Sequence, residues 1–155
     1  MIAIDPGVNG GLAVLLPGQT ATAFHMPATD GELLQKLKMA QETDANTAYL
    51  EDIVLFVPRR TKTGKDLPSS RMITYGASWG TIKGMLFALG FRIVLVRPQK
   101  WQGALSLGNS RGMSKTNWKN KLKQRAEELF PGIKVTLATA DALLMLEAAR
   151  TGKLE

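Results

Sequence analysis

The first eighteen residues, MIAIDPGVNGGLAVLLPG (1–18), decide the architecture. Two short apolar runs, residues 2–4 and 12–16, flank a glycine-rich turn. Runs this short, joined by residues that accept turn geometry, predict a β-hairpin. QTATAFHMPA (19–28) then reads as a third strand. DGELLQKLKMAQE (30–42) has apolar residues at helical spacing, with Asp30 as its expected N-cap. TAYLEDIVLFV (47–57) reads as a buried strand, and PRRTKTGKDLPSSR (58–71), polar and broken by two prolines, as a loop.

MITYGASWGTIKGMLFALG (72–90) predicts a helix ending at Gly90, and FRIVLVRP (91–98) a strand. QKWQGALSLGNSRGMS (99–114) reads mostly as loop. A Lys-rich helix starts near Ser114 and stops at Pro131, and a last helix follows, capped by Thr139 or Thr136. Three meandering strands followed by crossovers predict a single α/β domain over residues 1–155, a mixed sheet with helices on both faces.

Composition narrows the chemistry. The chain has 155 residues and no cysteine, which excludes disulfides, zinc fingers and thiol catalysis. Its one histidine, His25, rules out a histidine-rich metal site within one chain and reads as a surface or strand-end residue. No apolar run is long enough to span a bilayer. A strand starting at Ile2 leaves no signal or transit peptide, so the expected compartment is the cytoplasm of a bacterial or phage-infected cell. An organelle is the alternative if a transit peptide was removed.

The net charge is +7, and it is segregated. Residues 1–50 hold two lysines and five acids, whereas residues 57–125 hold fifteen Lys/Arg and one acid, Asp66. Such segregation is the footprint of a polyanion partner, here nucleic acid rather than membrane. Three acids stand where chemistry can use them. Asp5 ends the first strand, Glu51 lies in YLEDIV (49–54), and Asp141 lies in the first turns of the last helix. Converging carboxylates repel one another unless a cation sits between them, and oxygen-only sites suit Mg²⁺ or Mn²⁺. Each acid also has an ordinary structural role open to it: a turn cap, an arginine partner, or a helix N-terminus.

In order along the chain, IAIDPGVNGGLAVL, YLEDIV, YGASWGTIKGMLFALG, VRPQKWQGAL, the Lys-rich helix ending ELFPG, and ADALLMLEAAR resemble the RuvC-type Holliday junction resolvases. The resemblance is to their phage and organellar branch, within the RNase H-like superfold. It implies an RNase H-like five-stranded sheet and four acids holding two Mg²⁺ or Mn²⁺ ions. Asp5 would be the central ligand, Glu51 the second and Asp141 a helix ligand. The fourth acid is expected three residues before Asp141, on the same helix face. Ala138 stands there. The departure predicts an inactivated form, able to hold DNA uncut.

The resemblance also assigns lysines near Lys115 and Lys119 to the scissile phosphate or leaving group. Lys115, near a helix N-terminus, is placed for a phosphate on charge grounds as well. The other candidate DNA contacts are Phe56, Arg59, Arg60, Lys62, Lys65, Arg71, Lys83, Lys100, Arg111, Lys121 and Lys123. Phe56 is an expected wedge at an unpaired junction centre, or else the end of a core strand. Trp101, beside Lys100, is a further candidate DNA contact, or else only packing, as Trp118 is. Gly76, Gly80 and Gly84 form a helix stripe that predicts close approach of another backbone: the sheet, a second copy, or DNA.

The expected function is therefore a homodimeric, Mg²⁺-dependent endodeoxyribonuclease that resolves four-way junctions by paired nicks. One rival is a phosphotransferase of the actin and sugar-kinase superfold, suggested by IDPGVNGG. A non-catalytic junction-binding protein is another.

Overall fold

The computed structural model describes residues 1–52 and 69–154, with backbone only at 69–72. Five strands form one mixed sheet in the order β3-β2-β1-β4-β5. The meander β1 (Ile2–Asp5), β2 (Gly11–Val14) and β3 (Thr22–His25) is antiparallel, as the opening residues predict. The strands β4 (Thr47–Glu51) and β5 (Arg92–Val96) pair parallel, β4 on β1 and β5 on β4. Parallel neighbours need crossovers, and α1 (Asp30–Glu42) and α2 (Ser69–Ala88) provide them. Three helices follow: α3 (Pro98–Ala104), α4 (Lys115–Leu129) and α5 (Ala140–Arg150).

Strand alternation sorts the side chains into two cores. Ile2, Ile4, Leu12, Ala48 and Leu50 pack with Leu33 and Leu37 of α1 and Ile82 and Leu86 of α2. Ala3, Ala13, Tyr49 and Val96 face the other way, onto Trp101, Trp118, Leu122 and α5. Every α5 residue from Ala140 to Ala149 is buried. A helix apolar on all sides must lie at the centre of its layer, so α5 spans the sheet beneath α3 and α4. Helices thus cover both faces, as expected.

Four local expectations need correction. The N-cap of α1 is Thr29, whose hydroxyl accepts from the Glu32 amide at 3.2 Å, and Asp30 is the first helical residue. The helix α2 begins at Ser69, inside the segment read as loop. The segment after β5 is not mostly loop: Pro98 opens α3, where its fixed φ is already helical, and Trp101 anchors it. Last, the glycine stripe of α2 does not meet the sheet. Among the described residues, nothing lies within 4 Å of a Cβ placed at Gly76, Gly80 or Gly84. Ile82 and Leu86, on another side of the helix, make the sheet contact.

Candidate active site

Sheet register brings two of the acids together. Ile4 pairs with Leu50, so the next residues, Asp5 and Glu51, stand side by side. By alternation both point to the α5 face, with Ala3 and Tyr49. The same row runs on through Gly11, which pairs with Asp5, and His25, which pairs with Gly11. The glycines here have a steric reason. A Cβ at Gly10 would lie 2.3 Å from the Asp5 carbonyl oxygen, and one at Gly11 would lie 2.9 Å from that of Ala138. The turn folds tightly around Asp5, and the entry to α5 rests on the strand. Gly7 donates its amide to Asp5 Oδ1 at 3.1 Å, fixing that carboxylate.

Two tryptophans hold Glu51. Trp101 Nε1 donates to its Oε2 at 3.3 Å, and Trp79 Nε1 donates to its backbone carbonyl at 3.1 Å. Trp101 is therefore more than packing. Burial first, then the charges of Asp5 and Asp141, push Glu51 up to about 8, against the opposing pull of Trp101 and Lys119. Burial also raises Asp5, opposed by the Gly7 hydrogen bond, while Asp141 adds to the rise and Lys119 counters it.

Asp141, 7 % exposed, enters from α5. Lys119 of α4 donates directly to its Oδ2. Its other oxygen, Oδ1, is buried with no hydrogen-bond partner among the described residues. Burial works to lower Lys119, but Asp141, then Asp5 and Glu51, outweigh it and raise it. One ammonium thus serves three carboxylates. At the entry to α5, Thr136 and Thr139 bond to each other's amides at 3.0 and 3.3 Å, a reciprocal cap. Thr139 is the N-cap residue, without a side-chain bond into the helix itself. Ala138 lies in this turn, just before the helix proper.

An open cleft of about 880 Å³ leads to these groups, lined by Asp5, Asn9, His25, Tyr75, Lys115, Lys119 and Ala138 among others. His25 Nε2 lies 3.3 Å from Thr136 Oγ1 on its wall. Burial, then Glu51 and Asp5, push Tyr75 up to about 12, so its hydroxyl stays protonated and able to donate. Sequence reasoning did not find Tyr75 and gave His25 no role in the cleft. The one available signal was strand parity: His25 shares a row with Asp5 once the hairpin register is known.

The side chains of Asp5, Glu51 and Asp141 offer oxygen only, and Asp141 Oδ1 is a buried acceptor with no hydrogen-bond partner among the described residues. Both features fit a hard divalent ion. Among the described residues, no group of three His, Asp or Glu side chains is set to hold a metal as it stands.

The nominated basic residues separate into two groups. Lys115 and Lys119, one turn apart, both line the cleft. Lys100 Nζ instead donates to the Leu154 carbonyl at 2.6 Å, and Lys121 Nζ to the Leu107 carbonyl at 2.9 Å. Lys123 pairs with Glu127 at 2.8 Å, and Lys83 lies over the Trp79 ring. Arg111 sits in the exposed turn before α4. Phe56, Arg59, Arg60, Lys62 and Lys65, together with the Arg71 side chain, lie outside the described residues.

No family model and no curated relative matches the chain. Solved structures do. It is similar to Thermus thermophilus RuvC at 14% identity and a TM-score of 0.54, over 100% of this chain and 99% of that one. It is also similar to T. thermophilus RuvC in complex with Holliday junction substrate, at 17% identity and a TM-score of 0.59, over 100% and 98% of the two chains. The chain has the RNase H-like fold of RuvC across its whole length.

Proposed function

We propose that this chain is a divalent-metal-dependent endonuclease that acts, as a homodimer, on four-way DNA junctions. The observation that carries the reading is the convergence of Asp5, Glu51 and Asp141 beside one lysine, with a buried carboxylate oxygen unpaired. The likeness to a structure holding a Holliday junction supports the choice of substrate.

Asp5, Glu51 and Asp141 would hold Mg²⁺ or Mn²⁺. Bound there, such ions would supply Lewis-acid polarisation of the phosphodiester and acidify the attacking water. The chain's own residues have separate tasks. Gly7 and Trp101 orient the Asp5 and Glu51 carboxylates through fixed hydrogen bonds. Lys115 begins α4, where ammonium charge and the helix N-terminus both attract a phosphate. The Tyr75 hydroxyl, kept neutral by burial and then by Glu51 and Asp5, would donate to a phosphate oxygen in the cleft. A second copy related by a twofold axis would present an identical site to the opposed strand.

Ala138 favours a second reading, a junction-binding form with catalysis impaired by a missing carboxylate. One experiment addresses both. A synthetic four-way junction and a linear duplex are incubated with Mn²⁺ and either this chain or Ala138→Asp. Junction-selective binding by both proteins is the expected result, with paired nicking by this chain on the first reading and by the variant alone on the second. Nicking by the unaltered chain would mean that three carboxylates suffice. Equal affinity for junction and duplex would sink the proposal, and ATP turnover would favour the phosphotransferase.

A further inference from the structure

We propose that Lys119 is a tethered counter-cation. Its ammonium holds the divalent ion's place at Asp141 in the resting site and must leave that carboxylate before the ion binds. The inference rests on the reading of Asp5, Glu51 and Asp141 as metal ligands.

The ion pair is half complete. Lys119 Nζ engages Asp141 Oδ2, while Oδ1 stays buried without a partner among the described residues. Buried carboxylates held for structure alone satisfy both oxygens, because an orphaned buried acceptor bears its full desolvation cost. A carboxylate gripped at one oxygen is a ligand held in readiness.

Lys119 also has somewhere to go. Its side chain is 34% exposed and lines the cleft one helical turn from Lys115. Released from Asp141, the ammonium would turn into that cleft, where a DNA phosphate replaces the carboxylate it has lost. Metal loading and phosphate binding would then be coupled: uptake of the ion at Asp141 frees the Lys119 ammonium for the substrate. A lysine suits this task better than an arginine, since its point charge on a flexible stem engages one oxygen at a time.

The test needs no DNA and no turnover. Mn²⁺ is titrated calorimetrically into the folded wild-type chain and into Lys119→Met, Lys119→Gln and Lys119→Arg. The two neutral variants should bind roughly 10- to 100-fold more tightly than wild type, the range over which groups next to a metal's ligands alter its affinity. Lys119→Arg, which keeps a cation and can grip both Asp141 oxygens, should bind no more tightly than wild type. A second measurement keeps the wild-type sequence. Lysine acetylation is mapped by peptide mass spectrometry with and without Mn²⁺, and Lys119 should gain reactivity on ion binding while Lys123 does not change.

Neutral variants that bind Mn²⁺ no tighter, or Lys119 labelling that stays flat or falls, would overturn the tethered-cation role and leave the metal site standing. Absence of Mn²⁺ binding in every folded form would overturn the metal site itself, and this inference with it.

Discussion

Glu51 shows most directly how residue-scale physics sets the site. Its ordinary value of 4.5 rises to about 8 through burial, then through Asp5 and Asp141. The folded chain therefore binds this proton more tightly than the unfolded chain does. The sign follows: stability is fullest below about 4.5 and falls as pH climbs toward about 8. The slope from this one group reaches about 1.4 kcal/mol per pH unit. Asp5, also raised, acts in the same direction. Urea midpoints taken in chelator at several pH values across that window should fall with pH, and Glu51→Gln should flatten the fall. Equal slopes in both proteins would show that Glu51 is not buried as ionised charge. Trp101→Phe should extend the fall to higher pH, because it removes a donor that favours the carboxylate while the onset near 4.5 stays in place.

At the scale of elements, the turn between β1 and β2 and the exposed side of α2 give opposite answers to one substitution. Gly10→Ala would place a methyl 2.3 Å from the Asp5 carbonyl oxygen, a backbone atom that cannot step aside. The expected cost is about 1–3 kcal/mol, together with weaker Mn²⁺ binding as Asp5 shifts. Gly76→Ala meets nothing among the described residues and should raise the monomer's stability by up to about 1 kcal/mol through helix propensity. Thermal or urea unfolding of the two variants checks both signs.

The same elements show what sequence could reveal. The hairpin, β4 and α4 were legible because apolar period and capping residues agreed, Ser114 included. Asp5 and Glu51 stand out in the sequence because apolar residues flank them, and Asp141 because it is the lone acid in the first turns of its helix. Trp101 and Tyr75 were not legible, since they reach the acids through a parallel crossover, nor was the place of His25 in the cleft, which follows from sheet register. The helix α3 escaped because seven residues with one buried anchor carry too short a periodic signal. Asp30 was mistaken for the cap because Thr29, one residue earlier, is an equally good cap by type.

At the scale of the whole molecule, two surfaces bear on assembly and binding. Ile73 and Phe87, 71% and 81% exposed, extend the glycine stripe along one side of α2. If this face joins two copies, Gly80→Leu should lower the dimer fraction in sedimentation without lowering the monomer's melting temperature. The second surface is the basic one. A chain of net charge +7 with fifteen Lys/Arg between residues 57 and 125 should bind junction DNA largely through phosphates. Affinity should then drop by roughly 10³-fold or more between about 50 and 200 mM salt. The structure separates the nominated lysines within that total. Lys115 faces the cleft, so Lys115→Ala should reduce the magnitude of the logarithmic salt slope by about one. Lys100 and Lys121 donate instead to the Leu154 and Leu107 carbonyls, so their alanine variants should leave the slope in place and lower stability. A slope that responds equally to all three would mean that the basic segment acts as diffuse charge, and that the cleft at Asp5 and Asp141 is not where the backbone of the DNA lies.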